Sequence, residues 1–207
     1  MSSVVVSFET GALFEADSGS LEVVAPQPEA NIITVKGDLP VSITGGKLDD
    51  KITLGGGDAT VLGQDGNDMV KGGIGDDAIF GGEGHDTLMG GAGADYIDGG
   101  LGDDIIKGGA PGADADEHSL GDILKGGAGD DIFEFVADEF ESGATDLIID
   151  FRDGEDTIAI HGVSDRVSYD SRTGIVSVDG DEAIDIGKGL EDVNPTKQGD
   201  SDTWKMF

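Results

Sequence analysis

The chain contains no cysteine, so neither a disulfide framework nor thiol chemistry is open to it. Basic residues are also scarce: 12 Lys and Arg stand against 44 Asp and Glu, giving a formal net charge of -32 and a pI near 4.1. That balance opposes binding to nucleic acid or anionic lipid and favours cations as partners. It also predicts strong self-repulsion in metal-free buffer, so bound cations are expected to supply much of the folding free energy. No apolar run approaches membrane-spanning length, which excludes a helical membrane span. The opening residues MSSVVVSFETG lack the basic segment and apolar core of a secretory signal, so any export is expected to proceed without an N-terminal signal peptide. The three histidines, His85, His118 and His161, lie far apart and form no HExxH, and no GxSxG elbow is present. No catalytic constellation emerges, and the chain reads as non-enzymatic.

What the chain has in abundance is glycine and aspartate in strict order. From Gly45 to Lys107 it divides into seven nine-residue units without insertion or deletion: GGKLDDKIT, LGGGDATVL, GQDGNDMVK, GGIGDDAIF, GGEGHDTLM, GGAGADYID and GGLGDDIIK. A further unit in the same register, GGAGDDIFE, begins at Gly126. The first position holds Gly63, Gly72, Gly81, Gly90, Gly99, Gly108 and Gly126, and the second Gly73, Gly82, Gly91, Gly100, Gly109 and Gly127. The fourth holds Gly66, Gly75, Gly84, Gly93, Gly102 and Gly129. Glycine at these places lets the backbone turn tightly and bring carbonyls together without a Cβ in the way. The sixth position is Asp50, Asp68, Asp77, Asp86, Asp95, Asp104 and Asp131, failing within the seven units only at Ala59. Hard oxygen donors in a flexible shell suit calcium. The eighth position is apolar throughout, as Ile52, Val61, Val70, Ile79, Leu88, Ile97 and Ile106, so a short strand with one inward side chain follows each turn. A flexible acidic linker shares this composition, but a linker has no reason to keep an apolar residue at every ninth position.

A single nonapeptide cannot close a coil, so two per coil are expected, with equivalent turns stacked at 18-residue intervals. On that spacing Asp50, Asp68, Asp86, Asp104 and Asp122 form one ladder, and Asp77, Asp95 and Asp131 the other. The second ladder has a gap at Ala113, where Asp114 stands one residue on. Within the same passage Asp114, Asp116, Glu117 and His118 read as a solvated acidic loop, with an extra metal site as the alternative.

The repeat resembles the nonapeptide of RTX (repeats-in-toxin) proteins, calcium-binding parallel β-helices. The resemblance implies an all-β, right-handed parallel β-roll of about five coils, with several Ca2+ ions lying between adjacent turns and held by carboxylates and carbonyls of both. A second stretch, DLIIDFRDGEDTIAI, is similar to the segment after the roll in serralysin-type RTX proteins through Asp146, Ile149, Asp150, Phe151, Gly154, Asp156 and Ile158. RTX proteins commonly leave the cell through type I secretion machinery that reads an uncleaved C-terminal signal, and the terminal Asp202 to Phe207 is similar to such a signal, with Lys205 interrupting it.

The organisation expected is therefore N-terminal capping strands over residues 1–44, a calcium-binding roll over 45–134 with a loop at 110–119, a β-rich cap over 135–193, and a tail over 194–207. Strands are expected at Val4 to Phe8, Ile32 to Val35, Val167 to Tyr169, Ile175 to Val178 and Ala183 to Ile186. Phe133, Phe135, Phe140 and Phe151 are expected to plug the open end of the roll. Sorting outward positions by the 18-residue rule places Lys51, Lys71, Lys107 and Lys125 with Met69, Met89, Ile105 and Ile123 on one face; Phe80, Tyr96, Asp98, Asp116 and Glu134 fall on the other. The lysine face reads either as a soluble sheet surface or as a groove for an acidic polysaccharide. The leading expectation is an extracellular or cell-surface calcium-binding protein with a structural or matrix role. The alternative is an accessory module working with an extracellular hydrolase or polysaccharide-modifying enzyme.

Overall fold

A unit whose strand has one side chain to bury becomes stable only when strands of successive coils lie on one another, and that is how this chain folds. The computed structural model describes residues 4–8, 13–16, 21–24, 30–110, 121–137, 144–152, 154–163, 166–178, 181–187, 195–198 and 203–207. No α-helix occurs among them. The N-terminal strands are β1 (Val4–Phe8), β2 (Leu13–Ala16), β3 (Leu21–Val24), β4 (Ile32–Lys36) and β5 (Val41–Thr44). The repeats give β6 (Lys51–Thr53), β7 (Ala59–Asp65), β8 (Met69–Ile74), β9 (Ala78–Glu83), β10 (Thr87–Ala92), β11 (Tyr96–Leu101), β12 (Ile105–Ala110), β13 (Ile123–Ala128) and β14 (Ile132–Val136). After them come β15 (Asp146–Ile148), β16 (Thr157–His161), β17 (Val167–Asp170), β18 (Ile175–Val178), β19 (Asp181–Asp185), β20 (Thr196–Lys197) and β21 (Thr203–Met206).

Successive repeat strands alternate between two sheets. The first has the order β2-β1-β4-β6-β8-β10-β12-β14-β16-β21-β20, the second β17-β18-β19-β15-β13-β11-β9-β7-β5-β3. From β4 to β16 and from β3 to β15 every neighbour is parallel, which makes the fold a parallel β-roll. Partners from β6 to β12 in the first sheet and from β7 to β11 in the second are 18 residues apart, as in Leu88 opposite Ile106 and Ile79 opposite Ile97. The eighth-position residues from Ile52 to Ile106, together with Leu124 and Phe133, are all buried and join Ile33, Ile43, Ile148 and Ile158 in one cluster. Each such side chain contributes about 1.5–3 kcal/mol on burial. The core is thus a column between the sheets, and the turns form its two edges.

The stack is longer than the repeats. Seven parallel strands run from β4 to β16 in the first sheet, against about five coils expected, because β3, β4 and β5 before the repeats and β15 and β16 after them take up the same pairing. The strands on either side of the turn at Arg152 to Glu155, β15 and β16, belong to different sheets and form one more coil. Phe133, Phe135 and Phe151 are buried inside the column, which continues past them, while Phe140 lies outside the described residues. Closure comes later, from the antiparallel β17–β18–β19 on one sheet and β21 on the other. The terminal strand places Met206 opposite Ile158 and buries it completely.

Candidate metal centres

Each turn is shaped by its glycines. All glycines of the second and fourth positions named above take positive φ, as at Gly82 (125°) and Gly84 (140°). The first position needs glycine for a different reason. A Cβ on Gly63 would lie 2.5 Å from the carbonyl oxygen of Gly81, one coil on, and closer still to Oδ2 of Asp68. The same two kinds of oxygen crowd Gly72 (Asp77 and Gly90), Gly81 (Asp86 and Gly99) and Gly99 (Asp104 and Gly126). A carboxylate and a carbonyl have no hydrogen to share, so their convergence calls for a cation between them.

The sixth-position aspartates are buried, although they carry the charge of an acidic chain. One oxygen of each is satisfied by the coil before. Oδ1 of Asp68, Asp86, Asp104 and Asp131 accepts the backbone N–H of Asp50, Asp68, Asp86 and Asp104 at 2.7–3.0 Å. On the other edge Asp77, Asp95 and Asp122 accept from Ala59, Asp77 and Asp95 at 2.7–2.8 Å. The second oxygen is different: Oδ2 of Asp68, Asp77, Asp86, Asp95, Asp104 and Asp131 is buried with no hydrogen-bond partner. Leaving an ionised oxygen so placed is costly unless a cation meets it.

The protonation equilibria of these groups respond to the same burial. Without a cation, desolvation raises the carboxyls of Asp68, Asp77 and Asp104 from 3.8 to about 7, and those of Asp95 and Asp131 to about 6. The backbone N–H bonded to each pulls the other way and falls short. Asp86 is raised for the same reason. Among the described residues no three His, Cys, Asp or Glu side chains converge on one point. A cation at these turns would therefore take most of its ligands from backbone carbonyls, as calcium readily does. Orphaned Oδ2 atoms, facing carbonyls and a cradle that a Cβ would fill all fit Ca2+.

The two edges are populated differently from the 18-residue expectation. Ile123 lies opposite Tyr96, and Ile132 opposite Ile105, both at intervals of 27 residues. Asp131 therefore follows Asp104, while Asp122 follows Asp95. The cause is the passage after Gly109, which adds a nonapeptide length without adding a strand to the stack. It has Ala113 where aspartate is needed and Ala115 where a large apolar residue is needed. Asp114, Asp116, Glu117 and His118 lie outside the described residues. Past the repeats, Asp146 and Asp156 extend the ladders, accepting the N–H of Asp122 (2.8 Å) and Asp131 (3.1 Å).

Sequence reasoning missed a further ladder at the fifth position. There the hydrogen bonds run the opposite way along the stack. Asp49 accepts the N–H of Asn67, Asn67 that of His85, and His85 Nδ1 that of Asp103, each at 2.8 Å. Asp103 in turn accepts from Asp130 at 3.0 Å. His85, though largely exposed, is thus an acceptor in this ladder. The signal was available, since Asp49, Asn67, His85 and Asp103 recur at intervals of 18 and all have a side-chain acceptor.

The outer faces also change. Lys51, Lys71 and Lys107 stay on the first sheet with Met69, Met89 and Ile105, but Lys125 and Ile123 move to the second, and Glu134 joins the first. Lys125 pairs with Asp98 at 2.8 Å, and Lys107 pairs with Glu134. The single lysine row, read from the sequence either as a soluble sheet surface or as a glycan groove, is therefore divided between two sheets. His161 lies elsewhere, with Nδ1 3.2 Å from Thr203 Oγ1.

The family profile of the RTX calcium-binding nonapeptide repeat matches this chain in four copies, over residues 42–70, 53–88, 80–110 and 121–134. No curated protein matches the chain. RTX nonapeptide repeats bind Ca2+, and the buried aspartates at the turns agree with that.

Proposed function

We propose that this chain, whose RTX nonapeptide repeats make it a calcium-binding protein, folds on binding Ca2+ outside the cell and serves there as a non-enzymatic structural element. The observation that carries the reading is the set of six buried Oδ2 atoms, on Asp68, Asp77, Asp86, Asp95, Asp104 and Asp131, that have no protein donor. Those of Asp68, Asp77, Asp86 and Asp104 lie at turns where a carbonyl oxygen of the next coil converges on the same point, so one ion there would neutralise a carboxylate and tie two coils together. Residues Gly63, Gly72, Gly81 and Gly99 would frame these sites by leaving room for the converging oxygens. Ion binding and coil closure are then one event, and the metal free energy becomes folding free energy.

The chemistry suits a compartment rich in calcium. Extracellular modules bind the ion with dissociation constants of about 0.1–1 mM, far weaker than cytosolic sensors. Below that range the uncompensated charge at the turns would keep the roll open, and above it the coils would close. Once closed, the roll is a rigid acidic rod suited to a cell-surface or matrix setting.

Far-UV circular dichroism during a calcium titration tests this, with magnesium as the control. The expected result is a disordered spectrum that turns to β between about 0.1 and 1 mM Ca2+ and does not respond to Mg2+. A spectrum already β in chelator and unchanged by calcium would remove the folding switch, and with it the argument for assembly outside the cell.

A further inference from the structure

Six sixth-position carboxylates have an orphaned oxygen, but Asp50, which holds the same place in its unit, does not. Its Oδ1 accepts two hydrogen bonds from Asn31, from the backbone N–H at 2.6 Å and from Nδ2 at 2.8 Å. Its Oδ2 accepts the backbone N–H of Gly46 at 2.6 Å. At the far end of the same edge, Asp156 repeats the arrangement. Its Oδ1 accepts from Asp131 N–H at 3.1 Å and its Oδ2 from Arg152 N–H at 2.7 Å. In both cases the donor to Oδ2 is the amide four residues earlier in the same turn. Between them Asp68, Asp86, Asp104 and Asp131 have Oδ2 without a partner.

We infer that the calcium sites on this edge run only from Asp68 to Asp131, and that Asp50 and Asp156 are seals in which a backbone amide takes the place of the ion. The inference rests on the calcium reading above and refines it, because the sequence pattern assigns Asp50 to the metal while its geometry does not. The physical logic is that of a carboxylate's lone pairs. An oxygen already holding an N–H at 2.6 Å has its inward lone pair filled, and an ion at the same point would have to displace that amide and leave it unpaired. An interior Oδ2 has nothing to displace.

The seals also handle what an end of a stack lacks. Before Asp50 no repeat coil precedes, so Asn31 supplies the donors that a sixth-position N–H plus its neighbours provide elsewhere. After Asp131 no repeat coil follows, and a non-repeat segment completes the turn. Asp150 accepts the N–H groups of Gly126 and Gly127, both at 2.9 Å. The guanidinium of Arg152 donates to the Gly127 carbonyl, so a side-chain cation stands at the last turn of the repeats.

The test is native mass spectrometry of the full chain at saturating Ca2+, counting ions for Asp68→Asn, Asp50→Asn and Asp156→Asn, with circular dichroism confirming the fold. Asp68→Asn is expected to lose at least one ion, whereas Asp50→Asn and Asp156→Asn keep the full count. Loss of an ion from Asp50→Asn or Asp156→Asn overturns the seals while leaving the calcium reading intact. No loss from Asp68→Asn overturns the calcium assignment itself, and the seals with it. Should Asp50→Asn fail to fold, Asn31→Ala removes one donor and leaves the carboxylate. An unchanged count with lower stability supports the seal, and a gained ion at Asp50 shows that the amide and the metal are interchangeable there, against the inference.

Discussion

The coils from Gly63 to Asp131 and the antiparallel segment of β17, β18 and β19 are both β and both well packed, yet they treat aspartate in opposite ways. In the coils Asp104 is buried, and desolvation pushes its carboxyl up to about 7. In the antiparallel segment Asp170 is solvent-facing and its carboxyl is lowered, first by the backbone N–H of Arg172 and then by its guanidinium. There the buried residues are Val167, Val176, Val178 and Ile184, and they need no ion. A carboxylate on a surface turn is stabilised by what is already in the chain. A carboxylate at a roll edge is stabilised by something the chain must capture. The two regions should therefore separate when calcium is withdrawn.

Chelation is the largest expected effect. With EDTA, amide hydrogen exchange should rise throughout residues 63–131, and uniform loss of protection extending equally over 166–187 would show that the two regions form one cooperative unit. Next in size is the column itself. Ile97→Ala should cost about 2–5 kcal/mol in calcium, measured by denaturant titration, because the cavity sits between coils that cannot collapse on it. A smaller effect separates neighbouring positions of one turn. Asp86→Ala should weaken calcium binding on its edge, while Asp103→Ala, which loses an exposed acceptor for Asp130 and a loose contact with His85, should cost about 0.5–1.5 kcal/mol and leave the affinity unchanged. Equal effects on affinity would contradict the distinct roles of the fifth and sixth positions.

The pH dependence has a definite sign. In the calcium-free chain the folded carboxyls of Asp68, Asp77 and Asp104 hold protons to about pH 7, whereas unfolded ones release them near 3.8. The fold binds more protons than the open chain between those values, so its stability is greatest below the lower and falls as pH rises through the higher. Acidifying the chelated protein from pH 7 to pH 4 should restore β signal, and a calcium titration near pH 6 should release protons. The smallest effect concerns Gln64, the non-glycine residue with positive φ (86°) among the described residues. Gln64→Gly should gain about 0.5–1 kcal/mol, read as a small rise in Tm at saturating calcium.

Much of the roll was legible because its two requirements are local. Ile79 and Leu88 lie nine residues apart for the same reason that Gly82 and Gly84 recur around them: one strand and one turn per unit. The edge assignment of Asp122 and Asp131 was not legible by counting, since the unit length 108–116 keeps the phase of the repeat but has Ala115 where a large apolar side chain would make a strand join the stack. Phase survives an excursion of nine residues, whereas edge identity does not. Asp50 shows the converse limit. Its position in the unit is that of a ligand, and only its contact with Asn31, 19 residues earlier, distinguishes it. Asp146 and Asp156 were noticed as part of the segment after the roll, but their place in the ladders depends on pairing intervals of 24 and 25 residues, which no repeat announces.

The opposed ladders at the fifth and sixth positions also bear on how the rod carries load. At the sixth position a later coil's carboxylate grips the amide of the coil before it; at the fifth, an earlier side chain grips the amide of the coil after it. Every interior joint on that edge is thus stitched from both sides. A pull along the axis would load both stitches together with the strand ladder, as shear shared in parallel, and no coil could peel away by opening one bond at a time. The roll would resist extension as a lashed bundle does, yielding in steps of whole coils.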